Sequence, residues 1–210
     1  MVRLLSALFV IAWLSSQPVP AAKGMFYDPG DLGLLPVAEP RSSLRPVRYA
    51  EAFSHCGVHY WLEAEDGTRV TERTAMGMPG TFTLHIRNNI GGGFLTVWDV
   101  TQERELTPRD ERVSGGGRWS GYLMSDAVYR VPGAFEFSKG ESATHLVVVW
   151  ARSQSEVAHS AERARARVKE MPAWMSIVKE VDDSTPGEVG TYVVNRRDGG
   201  VVAEIVFRAQ

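Results

Sequence analysis

The sequence predicts a mainly β protein: a β-sandwich with one C-terminal amphipathic helix and a terminal β-hairpin. Three observations lead to this fold class. Short segments of alternating apolar and polar residues recur about every 8–12 residues, separated by Gly and Pro. The segment His145–Arg152 has a central apolar run, which is typical of a strand buried on both faces. Helical periodicity is confined to one stretch, residues 153–171.

The N-terminus has the composition of a secretory signal peptide. Arg3 provides a short basic region, Leu4–Leu14 is apolar apart from one serine, and small residues follow. Cleavage after Ala21 places Val19 and Ala21 at the −3 and −1 positions, and cleavage after Ala22 is the alternative. The apolar run is shorter than the ~20 residues that span a bilayer. The sequence therefore predicts an exported protein, periplasmic or extracellular, with no integral membrane segment after cleavage.

Net charge and cysteine content indicate which partners are disfavoured and which state of the thiol is expected. The formal net charge is −2, and it becomes −3 when Arg3 leaves with the signal peptide. So mild a charge does not favour nucleic acid as a partner. Cys56 is the only cysteine, so the chain cannot form an intramolecular disulfide, and a buried, inert thiol is the expected state.

The predicted domain organisation is a signal peptide at 1–21, a linker, a sandwich and a C-terminal addition. Prolines and glycines without lasting periodicity predict an extended linker over residues 22–50. The β-sandwich domain follows at 51–152 and the helix at 153–171. A turn and the C-terminal hairpin occupy 172–210.

A hairpin at Thr81–Val100 is the predicted centre of the sandwich. Apolar and polar residues alternate from Thr81 to Arg87, and asparagines and glycines then provide a turn before a second strand at Phe94–Val100. Two strands alone are not stable, so further strands must cover them. The other strands predicted for the sandwich are Val58–Glu63, Thr68–Thr71, Glu103–Thr107, Gly121–Met124, Ala127–Val131, Ala134–Phe137 and His145–Arg152.

The predicted helix begins at a capping box formed by Ser153 and Glu156 and ends at Pro172. One apolar stripe faces the sheet, and arginines and a lysine cover the other sides as a solvated basic face. The stripe consists of Val157, Ala161, Ala164, Val168 and Met171.

The last predicted element is a hairpin of Gly190–Asn195 and Val201–Arg208. Strict alternation gives its second strand one apolar face. The hairpin either pairs within its own chain or adds to a sheet of another chain, and the first alternative is favoured because exposed edges are usually covered within the chain.

One cluster contains soft metal ligands. His55, Cys56 and His59 lie within five residues, and the thioethers of Met76 and Met78 in the loop before the central strand suit copper, above all Cu(I). The spacing matches neither a zinc knuckle nor a haem attachment motif. A strand through these residues would also turn Cys56 away from the histidines. A packed or solvated His/Cys pair is therefore favoured over a metal site.

The loop Pro108–Ser120 is the most ligand-like surface feature. Arg112 and Arg118 beside Trp119 would suit an anion or a sugar ring, although such a loop is more often simply solvated. No nucleophile elbow, phosphate-binding loop or dinucleotide fingerprint is present. The sequence therefore predicts no enzyme and no cofactor.

An ordered series of short motifs runs from Gly57 to Arg152. It resembles a bacterial family catalogued only as a domain of unknown function, found in exported and envelope-associated proteins. The resemblance implies an immunoglobulin-like or related β-sandwich and no activity. The chain departs from the family pattern at Phe94, at Thr107 and in its long Gly/Arg loop. The motifs are His59-Tyr60-Trp61-Leu62, Ile86-Arg87-Asn88-Asn89, Gly93-Phe94-Leu95, Leu106-Thr107-Pro108, Tyr129-Arg130-Val131-Pro132, Phe135-Glu136-Phe137 and Gly140-Glu141.

These observations together predict a non-enzymatic, exported protein-interaction or assembly module of the bacterial cell envelope, whose partner is another envelope protein. The alternative is a glycan-binding or small-anion-binding domain that uses Arg112, Arg118 and Trp119. A copper-binding periplasmic protein is the third hypothesis.

Overall fold

The computed structural model describes residues 22–27, 56–89, 93–110, 121–123, 127–136, 144–174, 177–196 and 200–207. The described chain is mainly β, as predicted. Its helices are α1 (Ala22–Tyr27), α2 (Glu72–Ala75) and α3 (Ala161–Trp174). Its strands are β1 (Cys56–Ala64), β2 (Arg69–Val70), β3 (Thr81–Asn88), β4 (Gly93–Asp99), β5 (Arg104–Glu105), β6 (Arg109–Asp110), β7 (Tyr122–Leu123), β8 (Val128–Arg130), β9 (Phe135–Glu136), β10 (Thr144–Ala151), β11 (Ile177–Asp182), β12 (Gly190–Asn195) and β13 (Gly200–Phe207).

The strands form two antiparallel sheets. The first sheet has the order β11-β12-β1-β3-β8-β6, with β2 beside β1 and β9 beside β3. The second has the order β13-β10-β4-β5, with β7 beside β4. Strands that are distant in sequence are therefore neighbours in both sheets, as in other two-layer β folds.

The main hydrophobic core lies between the two sheets. Even-numbered residues of β1, such as Tyr60 and Leu62, face inward and meet Leu95, Leu146 and Trp150 from the second sheet. All five side chains are at most 2 % exposed. Fully burying a large apolar side chain contributes roughly 1.5–3 kcal/mol, so this layer is the main stabilising element of the fold.

Each sheet is also covered on its outer face by a helix. Ala161 and Ala164 of α3 pack on Val147, Val149 and Val202 of the second sheet. In the same way α1 packs on the outer face of the first sheet, over β12. The described elements therefore form four layers, with one helix on the outside of each sheet.

The strands of both predicted hairpins form, but the two strands of each hairpin do not pair with each other, so the predicted hairpins are wrong. The strands β3 and β4 lie in different sheets, and so do β12 and β13. Each pair faces across the core, because Leu84 and Ile86 of β3 share the inter-sheet cluster with Leu95 and Val97 of β4. Alternation of apolar residues shows which face of a strand is buried, but it does not show whether the next strand lies beside it or opposite it. The strands β1, β3, β4, β10, β12 and β13 nevertheless lie within two residues of their predicted bounds.

The C-terminal helix differs from the predicted segment 153–171. The side chain of Ser153 accepts a hydrogen bond from the Ser155 amide and caps a short 3₁₀ helix, Gln154–Glu156. The α-helix begins only at Ala161, with the Ser160 hydroxyl accepting a hydrogen bond from the Arg163 amide, and it continues two residues beyond Pro172. The predicted capping box therefore belongs to the connection before the helix, and Ser160 caps the helix itself.

The basic face of α3 is not simply solvated. The Arg165 guanidinium donates to the carbonyl of Val100, and the Arg167 guanidinium donates to the carbonyl of Glu156. Arg163 pairs with Glu170 at 3.0 Å. Arg165 and Arg167 fasten the helix to the loop that follows β4 and to its own N-terminal connection.

Gly190 at the start of β12 permits the close packing of β12 on β1. Its φ is +153°, and a Cβ there would lie 2.6 Å from the Tyr60 carbonyl oxygen and would also overlap the His59 ring. Gly187 in the preceding turn has a φ of +79° but open space around it. A side chain at Gly190 would therefore meet both backbone strain and steric overlap, whereas a side chain at Gly187 would meet backbone strain alone.

We expect Gly190→Ala to lower the free energy of unfolding by about 3 kcal/mol, because strain and overlap add. Gly187→Ala, the matched control, should cost about 1 kcal/mol, because only the strain applies. Urea unfolding of both variants measures the difference. Equal losses in the two variants would contradict the packing described for Gly190.

Candidate functional site

Several of the predicted site residues lie outside the described residues. These are Arg112, Arg118 and Trp119 of the ligand-like loop, and His55 of the candidate metal cluster. The start of the predicted loop Pro108–Ser120 is a strand instead, because Arg109 and Asp110 form β6 of the first sheet. The next described strand, β7, belongs to the second sheet, so the chain passes from one sheet to the other between them.

The described members of the candidate metal cluster are not brought together. Cys56 is buried between the sheets, whereas His59 lies on the outer face of the first sheet. Met76 is the C-terminal cap of α2, and Met78 packs against the core just after it, close to the other end of β1. Leu62, which pairs with β2 there, is six residues from Cys56, or roughly 20 Å along a strand. In the described part of the chain, no group of three His, Cys, Asp or Glu residues could hold a metal ion.

The outer face of the first sheet carries a stack of aromatic rings. Tyr192 and His59 are directly opposite each other on β12 and β1, and their rings are parallel with centroids 4.1 Å apart. His59 is 5.1 Å from Trp61, and Trp61 is stacked 5.3 Å from His85 on β3. The two cross-strand ring pairs, Tyr192–His59 and Trp61–His85, stabilise the sheet by roughly 0.2–1 kcal/mol each. The stack connects β12, β1 and β3 side by side.

The ring stack is buried and flanked by cations. Arg69 lies over the Trp61 ring at 4.3 Å, and the charge of Arg87 lies 5.8 Å from the Phe26 ring. Burial, and next the positive charges of Arg87 and Arg69, lower the pKa of His59 to about 3. The His59 ring is therefore neutral at physiological pH, and its role is that of a flat packing surface.

The helix α1 covers the end of this stack at β12. Phe26 makes edge-to-face contacts with Tyr192 at 5.4 Å and with His59 at 5.9 Å. Gly57 leaves room for it, because a Cβ on Gly57 would lie 3.2 Å from the Phe26 ring. Residues 22–27, predicted to belong to a linker, are thus a packed part of the fold.

An ion cluster holds α1 against β11 and the following turn. The Lys23 ammonium lies 2.6 Å from the Asp182 carboxylate and 2.5 Å from that of Glu188, and it donates to the Thr185 hydroxyl. The Lys23 main-chain amide donates to the Glu180 carboxylate at 2.8 Å. Hydrogen bonds to Asp182 and Glu188 raise the pKa of Lys23, and the hydrogen bond from Lys23 lowers the pKa of Asp182. The cluster ties the N-terminal segment to the edge of the sheet.

A second polar cluster closes one end of the sandwich. The Glu72 carboxylate accepts hydrogen bonds from three side chains, those of Tyr60, Thr191 and Lys179. A half-buried carboxylate with three donors is stabilised in its charged form. The cluster therefore attaches α2 to β1, β11 and β12 at once.

Strand β11 forms one edge of the first sheet. Among the described residues its only strand partner is β12, which leaves its other side without a neighbour in the sheet. Val181 on this strand is 44 % exposed, and the Lys179 side chain is 45 % exposed. An edge strand of this length presents main-chain donors and acceptors that an extended chain can pair with.

Sequence reasoning missed both α1 and β11. The apolar residues Ala22, Met25 and Phe26 stand at helical spacing, which was the available signal for α1. Ile177, Val178 and Val181 are β-branched, but Lys179 and Glu180 interrupt the apolar pattern, so alternation alone did not indicate a strand.

No family model, curated protein or solved structure matches the chain. The resemblance noted for Gly57–Arg152 therefore stays a prediction. Among the described helices, none has the length and apolar character needed to cross a bilayer.

The neutral, buried His59 makes a testable contribution to acid sensitivity. An unfolded histidine titrates near pH 6.5, whereas His59 in the folded chain titrates at about 3. The unfolded state therefore binds the extra proton between these values, and stability falls as the pH drops below about 6.5. At pH 5 the loss from this one residue should be about 2 kcal/mol.

Urea unfolding at pH 5.0 and pH 7.5 measures that loss, and His59→Phe should remove about 2 kcal/mol of the difference between the two pH values. The comparison uses the pH dependence alone, so a constant loss from repacking does not affect it. His159→Phe, at an exposed histidine just before α3, is the control. An unchanged pH dependence in His59→Phe would show that His59 is not the acid-sensitive group.

Proposed function

We propose that the chain is a non-enzymatic, exported protein-interaction or assembly module of the bacterial cell envelope that binds its partner by strand addition at β11. The observation that carries this proposal is the six-residue edge of the first sheet, paired on one side only within the described residues. Strand addition to an exposed edge is a recurrent mode of peptide recognition, in which main-chain hydrogen bonds supply affinity and side chains supply specificity.

The chemistry of β11 defines the partner segment. Val181 lies on the same face as Lys179, and its exposed side chain requires an apolar neighbour from the added strand. Lys179 is fixed by Glu72 at 3.0 Å on this face, and a charge on an edge strand discourages indiscriminate pairing. The partner is therefore an extended segment with an apolar side chain opposite Val181 and no bulky apolar group at Lys179.

The other described edges support the choice of β11. Strands β5 and β6, at the far edges of the two sheets, have two residues each. Strand β13 ends the second sheet, but only Glu204 of its eight residues is exposed. Strand β12, which the sequence offered as an edge, lies between β11 and β1 and is fully buried. Of the described strands, β11 combines the length and exposure that a partner strand needs.

Export is part of this proposal and is supported by the predicted signal peptide at 1–21. An immunoglobulin-like relationship is the finer fold that we propose, supported by the two packed antiparallel sheets and by connections that pass from one sheet to the other. Neither proposal requires a catalytic group. The polar clusters at Lys23 and Glu72 attach helices to the sheet.

Substitution of Val181 tests the proposed edge. The tagged mature protein is cross-linked in its native envelope, and the captured partner is identified and purified. We expect Val181→Lys to weaken binding of this partner at least tenfold, because a charged side chain would face the apolar residue of the added strand. Tyr122→Lys is the matched control, since Tyr122 is 46 % exposed and belongs to the second sheet.

A second measurement decides whether binding is strand addition. The purified partner should slow hydrogen exchange of main-chain amides in residues 177–182 and leave β7 unchanged. Equal binding by Val181→Lys and wild type, or protection outside β11, would contradict the proposal.

A glycan-binding domain is the second candidate, and one observation favours it. Tyr122 is exposed beside Phe94, with ring centroids 5.5 Å apart, two residues after the loop that contains Arg112, Arg118 and Trp119. Exposed aromatic faces at a loop base can stack against a sugar ring, with arginines for anionic groups.

Titration of tryptophan fluorescence with soluble envelope glycans tests this candidate. Saturable quenching that disappears in Trp119→Ala and weakens at least tenfold in Tyr122→Ala is the expected result. Quenching that is unchanged in both variants, or absent in the wild type, would rule it out.

A further inference from the structure

The segment directly after the predicted signal cleavage site is folded onto the sheet. Ala22 is fully buried, and Met25 and Phe26 are at most 3 % exposed. The predicted cleavage after Ala21 would make Ala22 the first residue of the mature chain. A mature N-terminus at this point would therefore be fixed in a defined place on β11 and β12.

Among the described side chains, Glu180 has no cationic partner at that place. The Lys23 ammonium pairs with Asp182 and Glu188, and only the Lys23 main-chain amide reaches Glu180. Among the described residues, no Lys, Arg or His side chain forms an ion pair with Glu180. The half-buried carboxylate thus faces the first turn of α1 with its charge unmatched.

We propose that export processing hydrolyses the Ala21–Ala22 bond and that the new α-ammonium of Ala22 pairs with Glu180. The inference rests on the proposed export. In the hydrolysis, carried out by a signal-removing peptidase, water supplies hydroxide to the Ala21 carbonyl carbon and a proton to the Ala22 nitrogen. The new Ala21 carboxylic acid then releases its proton, and the Ala22 amine takes up a proton to become the ammonium. The Ala22 nitrogen directly precedes the Lys23 amide from which Glu180 already accepts a hydrogen bond.

The position of the α-ammonium at the start of α1 also explains why the carboxylates of Glu180, Asp182 and Glu188 lie around it. An ammonium at the start of a helix is repelled by the positive end of the helix dipole. Glu180 offsets this repulsion, while Asp182 and Glu188 remain bound to Lys23. Cleavage after Ala22 instead would discard a fully buried side chain, so the structure favours Ala22 over Lys23 as the first residue.

The pairing locates the mature N-terminus beside the proposed binding edge. Glu180 and Asp182 both belong to β11, and both would be neutralised by groups of the first two mature residues. The N-terminus then stiffens β11 from the outer face, while Glu72 and Lys179 hold it from the inner face. Processing therefore completes the strand to which a partner adds.

Two experiments test the inference separately from export. The intact mass of the protein recovered from an export-competent bacterial host should correspond to a chain beginning at Ala22. A first residue at Lys23 or later would overturn the assigned cleavage. An unprocessed chain would overturn both the proposed export and the cleavage. The pairing of the Ala22 α-ammonium with Glu180 is measured separately, on purified protein.

The pairing is measured with purified chains that begin at Ala22, bearing either a free or an acetylated α-amine. Acetylation should lower the Tm at pH 6.5 by about 2–4 °C in the wild type, and it should not lower the Tm in Glu180→Gln, where it removes only the repulsion between the ammonium and the helix dipole. Glu162→Gln, at an exposed carboxylate on α3, is the control and should keep the wild-type response. An acetylation effect of the same size in the wild type and in the Glu180→Gln variant would overturn the pairing.

Discussion

Burial of both faces of the central strands governs this structure. Strand β10 is the clearest case, because Leu146 and Val148 face the inter-sheet core while Val147 and Val149 face outward, and all four are buried. Two sheets packed together cover only their inner faces. The outer faces therefore need further layers, which α3 provides for the second sheet and α1 for part of the first. The helices are consequences of the sheets, because short helices gain most of their stability from packing an apolar face.

The requirement that both sheet faces are covered also determines which polar residues lie on the outer face of the first sheet. The outer face of the first sheet has few aliphatic groups, and flat rings of Tyr192, His59 and Trp61 take their place. His59 lies there as a neutral ring, because burial and the charges of Arg87 and Arg69 lower its pKa, and its expected effect on acid stability follows from that low pKa. Glu72 and Lys23 are charged, and each lies where several elements end, with its hydrogen bonds made to partners distant in sequence. The described charged clusters at Lys23 and Glu72 thus join elements that are distant in sequence.

The proposed function rests on the strand edge that the packing of the two sheets does not cover. The long strands in the sheet interiors have neighbours on both sides, and the far edges are short or covered. Among the described strands, β11 remains as an edge that is held from both faces and has a strand partner on one side only. Rigidity matters for strand addition, because a fixed edge does not have to be ordered when a partner binds. The proposed N-terminal pairing adds to that rigidity from the outer face.

The sequence by itself determined the positions of the long strands and which of their faces are apolar, because side-chain alternation is a local property. It also separated Cys56 from His59, since successive strand residues point to opposite faces. It failed for α1 and β11, which are short or carry charges and are stable only where they contact other elements. Only the tertiary structure decided that β3 and β4, like β12 and β13, face each other across the core. Pairing depends on which strands from distant parts of the chain lie alongside, and Val58 acquires its neighbours from β3 and β12, one near in sequence and the other 135 residues away.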